Sequence, residues 1–164
     1  MALPNKVLPG FSATMYAQPS ATPTPLTLTQ LSTLASVAAI AVSGNTMNIE
    51  AVPAFGMDDA NASFSVAGSR QSDKIPTQAA PTSMSITAAW NPSDAVILQV
   101  RADAYSGVVD RTYVIAATDG TNIVYYAFNG CVGSFQIDPS PSAEAKCMFT
   151  IHPRGNLYGW SNNA

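Results

Sequence analysis

Apolar residues recur at every second position through much of this chain. That period dictates β-structure, because side chains alternate across a strand and such a segment buries one face while offering the other to water. The plainest case sets Met84, Ile86, Ala88 and Trp90 against Ser83, Ser85, Thr87 and Ala89. Residues 145–151 alternate in the same way, with Cys147, Phe149 and Ile151 predicted to point inward, and residues 46–52 and 62–67 follow. In those two stretches the polar set is Thr46, Asn48 and Glu50 in the first and Ser63 and Ser65 in the second. A small polar face of that kind belongs in water.

A hairpin is written across residues 111–128: two β-rich runs flank Asp119-Gly120, a pair suited to a two-residue turn whose central positions both need positive φ. The second run is apolar on both faces, Ile123 and Tyr125 on one and Val124, Tyr126 and Phe128 on the other, so it needs two covering layers. Gly130 and Gly133 predict a bend or bulge before residues 134–138 continue the sheet, and residues 139–143 read as a turn.

One stretch, WNPSDAVILQVRADAYSG at 90–107, carries helical punctuation. Asn91 suits an N-cap, Pro92 the first helical position, Asp94 the first turn, and Gly107 the stop. The spacing predicts a helix over about 92–106 that lays Ile97, Leu98 and Tyr105 on a sheet and leaves Gln99 and Asp103 solvated. Residues 18–33 leave loop, strand and short helix open, since Pro23 and Pro25 favour a loop ahead of an ambiguous apolar run. Residues 68–82 have no convincing period and read as a long loop, while residues 1–11 and 152–164 read as extended arms.

At 164 residues the chain predicts a single domain spanning 1–164. Only 10% of it is Asp, Glu, Lys or Arg, against about 25% in ordinary soluble domains. With 47% apolar residues it is no disordered chain, so the sparse charge points to faces buried against copies of itself. The longest apolar run, 31–42, falls short of the roughly 20 residues a bilayer span needs, and Pro4 and Pro9 break any signal-peptide core. No membrane insertion is expected, and Cys131 and Cys147 read as small core residues in a reducing compartment.

Chemistry finds little support. The single histidine, His152, stands outside any nucleophile elbow, zinc-protease, P-loop or dinucleotide motif, so no catalytic residue, cofactor or metal ligand is expected. Asp58-Asp59 lacks the glycine and terminal glutamate of a calcium loop and reads as a solvated turn, with a weak cation site as the alternative. Seven scattered basic residues and a net charge of −3 do not grip nucleic acid.

The ordered set of a strand at residues 12–17, paired strands near 47–52 and 62–67, a long loop holding Arg70 to Lys74, the A-W-N-P junction at 89–92, and a D-G-T hairpin followed by F-N-G-C-V at 128–132 resembles the major tail tube protein of long-tailed, lambda-like bacteriophages. The resemblance implies a mostly β fold, a β-sandwich or split barrel of two packed sheets flanked by one helix, in a virion component assembled in the host cytoplasm. It implies homo-hexameric rings stacked into a tube, with a tape-measure protein inside and tail-end proteins at the tips. Through it, Arg70, Asp73, Lys74 and Ile75 are expected at the ring-to-ring contact, Leu3, Leu8, Leu157, Tyr158 and Trp160 at arm contacts, and Thr46, Asn48, Glu50, Ser63 and Ser65 in the lumen. Six copies would bring roughly −18 to a ring, a mildly acidic bore through which double-stranded DNA passes without adhering. The C-terminal immunoglobulin-like domain of some relatives is not expected here. The alternatives are a free-standing β-sandwich that binds a receptor or carbohydrate, and a single-ring head–tail connector or tail terminator.

Overall fold

The computed structural model describes residues 12–20, 22–65, 72–107, 110–140 and 144–161, with backbone alone for 59–79 and 160–161. The chain is mostly β, with two sheets and one main helix. Five antiparallel strands make the larger sheet: β1 (Ser12–Ala17), β4 (Met84–Ala89), β5 (Arg111–Thr118), β6 (Ile123–Asp138) and β7 (Lys146–Ser161), in the order β1-β5-β6-β7-β4. The smaller sheet is a two-stranded hairpin of β2 (Met57–Ser65) and β3 (Ser72–Pro81).

The alternating segments become strands whose inward residues are the expected ones. Met84, Ile86 and Ala88 on β4 and Cys147, Phe149 and Ile151 on β7 are at most 2% exposed. Residues 46–52, by contrast, form no strand. After a 3₁₀ turn at Ser43–Asn45 they run extended between the two edges of the sheet, bridging Tyr16 to Thr46 and Ile49 to Ala88. The Met47 N–H donates to the Met15 carbonyl, and the Glu50 and Ala89 N–H groups donate to the Thr87 and Asn48 carbonyls, each at 2.9 Å. One short segment thus ties β1 to β4 and curls the sheet toward a barrel, which satisfies edge groups that would otherwise invite pairing with another chain.

Inside the curl lie Met15, Met47, Ile86, Ile97, Val100, Tyr113, Phe128, Phe149 and Ile151, each fully or almost fully buried. Each such side chain contributes about 1.5–3 kcal/mol by leaving water. Stacked rings knit the layers, Phe135 on Phe149 at 5.8 Å and Tyr113 on Phe128 at 5.7 Å, with Trp90 meeting Phe135 edge-on at 6.1 Å.

The helix in this core, α3 (Ala95–Ser106), starts three residues later than its punctuation suggests. Asp94 is the N-cap, and its carboxylate accepts from the Val96 and Ile97 N–H groups at 3.0 and 3.3 Å; Asn91 instead accepts from Ser93 N–H and shapes the preceding turn. Gly107 ends the helix at φ +80°, as expected. Replacing Asp94 with Ala is expected to cost about 1–2 kcal/mol of unfolding free energy, because the cap and a 2.8 Å bond from Asn48 vanish together, a loss that urea titration would read.

The buried face of α3 is also rotated from the predicted one. Ile97, Val100 and Asp103 point inward, while Leu98 and Tyr105 are 37% and 70% exposed. Asp103 is buried because Arg111 meets it eight residues on, as an ion pair at 2.6 Å.

The second layer expected over β6 is supplied by the ambiguous N-terminal region. Helices α1 (Leu28–Leu31) and α2 (Leu34–Ala38) lie on the outer face of the sheet, where Leu31, Val37 and Ile40 cover Val114 and Ala127. Thr27 and Gln30 form a reciprocal capping box on α1, which settles the short-helix reading.

The hairpin of β5 and β6 pairs Thr118 with Ile123, so its loop holds four residues, 119–122, rather than two. Gly120 has positive φ and Asp119 does not; the Asp119 carboxylate accepts from the Thr121 and Asn122 N–H groups at 2.8 and 2.6 Å. The Asn122 and Thr121 bonds hold the Asp119 carboxyl below its usual range, so their stabilisation is present at neutral pH and lost as pH falls through that lowered value. The bulge expected after Gly130 is present between Gly133 and Gln136.

Two expected irregular segments are strands. Residues 72–81 of the predicted loop are β3, paired to β2, while 66–71 lie outside the described residues. Residues 152–161 of the predicted C-terminal arm are the second half of β7, paired to β6 in the main sheet. Pro153 is tolerated there because β4 ends opposite Ile151, leaving that side of β7 without a partner. Gly155, at φ +73°, accommodates the bulge opposite Phe128. No described helix is long and apolar enough to cross a membrane.

Candidate assembly surfaces

The outer face of the sheet is covered by α1 and α2 over one half only. Over the other half, Ser85 and Thr87 of β4, Met148 and Thr150 of β7, and Ser134 and Gln136 of β6 line an open groove with no charged side chain. Register brings them together: Ser85 pairs with Thr150, Thr87 with Met148, and Met148 with Gln136. The same face continues to Cys131 and His152, which are cross-strand partners, and Ser83 Oγ lies 2.9 Å from His152 Nδ1. Cys131 is therefore half-buried on this face and not in the core, whereas Cys147 is fully buried; both are free thiols. Burial raises the Cys147 thiol pKa above its usual value.

A polar groove without charged side chains suits close packing against another surface. Among the described residues no three of His, Cys, Asp and Glu come together in a way that could hold a metal ion. Asp58 is exposed at the start of β2.

The hairpin of β2 and β3 is the second surface. Its strands hydrogen-bond to each other, and Thr82 N–H to the Gly56 carbonyl at 3.0 Å closes its base. Two strands alone are marginal in water, so a hairpin of this length calls for a partner.

The residues singled out from sequence fall on several elements. Thr46 is half-buried against Tyr16, Asn48 donates to Asp94 Oδ2, and exposed Glu50 pairs with Lys146. Ser63 and Ser65 lie on β2 of the smaller sheet, so the five candidates are divided between the 46–52 segment and that hairpin. Asp73, Lys74 and Ile75 lie on β3 opposite Phe64, Ser63 and Ala62. Arg70, Leu3 and Leu8 are outside the described residues. Leu157 packs against the main core and Tyr158 against the outer cluster, and the backbone of Trp160 pairs with Tyr125 in the sheet. The open groove is half legible in the sequence: alternation puts Ser83, Ser85 and Thr87 on the outer face of β4, but no pattern signals that β7 and β6 extend it.

A third surface is the outward side of α3, where Ala95, Leu98, Ala102 and Tyr105 are exposed in one stripe. Arg101 lies between Trp90 and Tyr105, 5.7 and 5.4 Å from the ring centroids.

No family model and no curated protein matches the sequence. Solved structures do resemble the fold. A chain of the sheath/tube terminator of an extracellular contractile injection system (PVC) superposes with a TM-score of 0.60 at 11% identity, over 95% of this chain and 98% of that one. The PVC sheath–tube complex gives 0.56 at 12%, over 96% and 93%. The SPP1 tail tube gives 0.54 at 12%, over 93% and 77%. The curled sheet, the small second sheet and the single main helix together make a tail-tube-like fold.

Proposed function

We propose that this chain is a structural subunit of a phage-type tail tube, forming hexameric rings that stack into a hollow conduit for double-stranded DNA. The observation that carries the reading is the open groove on the outer face of β4, β7 and β6, whose lining holds no charged side chain, in a fold that follows tail-tube proteins over nearly its full length. A bore lined by Ser, Thr and Gln offers DNA phosphates no clustered cations, so the genome passes without being held. In this reading the bore is neutral along the groove, and acid contributes only at its margins. Self-association also explains the 10% charge, since subunit interfaces are depleted of charged residues. The rings would meet a tape-measure protein and tail-end proteins, in a virion assembled in the host cytoplasm, with no enzymatic step.

The likeness to a sheath/tube terminator favours a second reading, a single ring that caps a tube. Negative-stain microscopy of the concentrated protein separates the two. Rods of constant bore are expected; isolated rings would establish the terminator, and a stable monomer would refute both.

A further inference from the structure

Four basic side chains are described, and three of them are ion-paired: Arg111 with Asp103, Lys146 with Glu50, and Arg154 with Asp110. Arg101 meets no carboxylate among the described residues. It rests on the faces of Trp90 and Tyr105, and its Nε is shielded from solvent without a hydrogen-bond partner. Around it Leu98 is 37% and Tyr105 70% exposed. An arginine held between aromatic rings beside exposed apolar side chains has the composition of a binding hot spot.

The same chain carries a surface of opposite character. Met57 is 46% exposed at the start of β2, exposed Asp58 follows, and Asp59 comes next, an apolar residue followed by two acids at the base of a hairpin that shares no ladder with the main sheet. We propose that the Arg101, Tyr105 and Leu98 face of α3 seats the Met57–Asp59 start of the hairpin of a second copy. Met57 would meet Leu98 and Tyr105, and the Asp58 carboxylate would reach the guanidinium. The two patches differ, so the contact is heterologous and propagates head to tail, which is what a ring or stack requires. The inference deepens the tube reading by naming where one copy grips the next.

Cross-linking tests it directly. With Cys131→Ser removing the accessible thiol, Asp58→Cys and Tyr105→Cys together are expected to give a ladder of disulfide-linked multimers under mild oxidation; a protein that stays monomeric on a non-reducing gel overturns the contact. Arg101→Glu is expected to raise the concentration needed for assembly at least tenfold, and adding Asp58→Arg and Asp59→Arg is expected to restore it. Should Arg101→Glu lose its fold by circular dichroism, Tyr105→Ser takes its place in the assembly assay, since that side chain is largely in water. Normal rods from the replacement variants, without cross-links, would sink the contact and leave the tube reading standing. Cross-linked dimers from a protein that never forms rods would do the reverse.

Discussion

Replacing Arg111 with Ala is expected to lower the unfolding free energy by about 3–5 kcal/mol, the cost of stranding a buried charge. Arg111 is fully buried and holds Asp103 through two bonds, Nε to Oδ2 at 2.6 Å and Nη2 to Oδ1 at 3.0 Å. Its Nη1 donates to the carbonyls of Gln18 and Ser20 and to Gln99 Oε1. One side chain therefore ties α3, β5 and the chain leaving β1. Without it the Asp103 carboxylate, 3% exposed, faces the core with no counter-charge. For a chain of this size each kcal/mol moves the melting temperature by about 2–4 °C, so the midpoint should fall by about 6–20 °C. Lys at 111 should recover little, because an ammonium cannot reproduce the two-pronged geometry. Met at 111 combined with Leu at 103 should recover much of the loss, since an apolar pair does not need to be desolvated as ions. Urea unfolding followed by circular dichroism reads all four proteins. A loss under about 1 kcal/mol for Arg111→Ala would contradict a buried, structurally committed pair.

That pair also marks where sequence reasoning stops. Strand positions on β4 and the first half of β7 followed from alternation, because each inward face is set by neighbours two residues apart, and β5 followed from the β-rich run ahead of Asp119-Gly120. The boundaries of α3 followed within three residues, and its glycine stop was correct. Its buried face did not follow, because an aspartate in a helix reads as solvated until its arginine is known to fold back on it. The 46–52 segment has strand alternation, and its residues turn inward and outward by turns as far as Glu50, after which Ala51 is exposed and Val52 packs on the core. It fails as a strand because it bonds to β1 at one end and β4 at the other, a bond pattern fixed only by the curl of the sheet.

Two strands escaped the sequence pattern, and each holds a proline: Pro153 in β7 and Pro76 in β3 both sit where a missing N–H costs little. Pro153 lies beyond the end of β4, and Pro76 sits beside the register shift of a two-stranded sheet. A one-dimensional pattern records that a donor is missing; it does not record that no acceptor waits for it. The candidate lumen shows the same limit. Polar faces were found on individual segments, but the groove of Ser85, Thr87, Ser134, Gln136, Met148 and Thr150 exists only because register aligns three strands.

Removing the β2–β3 hairpin is expected to abolish rod formation while leaving a folded subunit. The hairpin forms its own two-stranded sheet, and its described ladder bonds run only within it. Its base is already closed, with Thr82 N–H on the Gly56 carbonyl, so an Asn-Gly turn can replace Met57–Pro81 without moving β4. Shortening the connection lowers the entropic cost of closing it by about 1–2 kcal/mol, which offsets the slight packing of β3 against β7 that the deletion removes. The shortened protein should therefore unfold cooperatively with a midpoint close to that of the full chain. On the proposed scheme its grip on the next copy is gone, so concentrated samples should hold monomers or single rings and no rods. Rods of ordinary length from the shortened protein would remove the hairpin from the assembly scheme. A shortened protein that fails to fold would contradict its structural independence, because the curled sheet, α3 and the Arg111 latch would then not suffice to hold the subunit together.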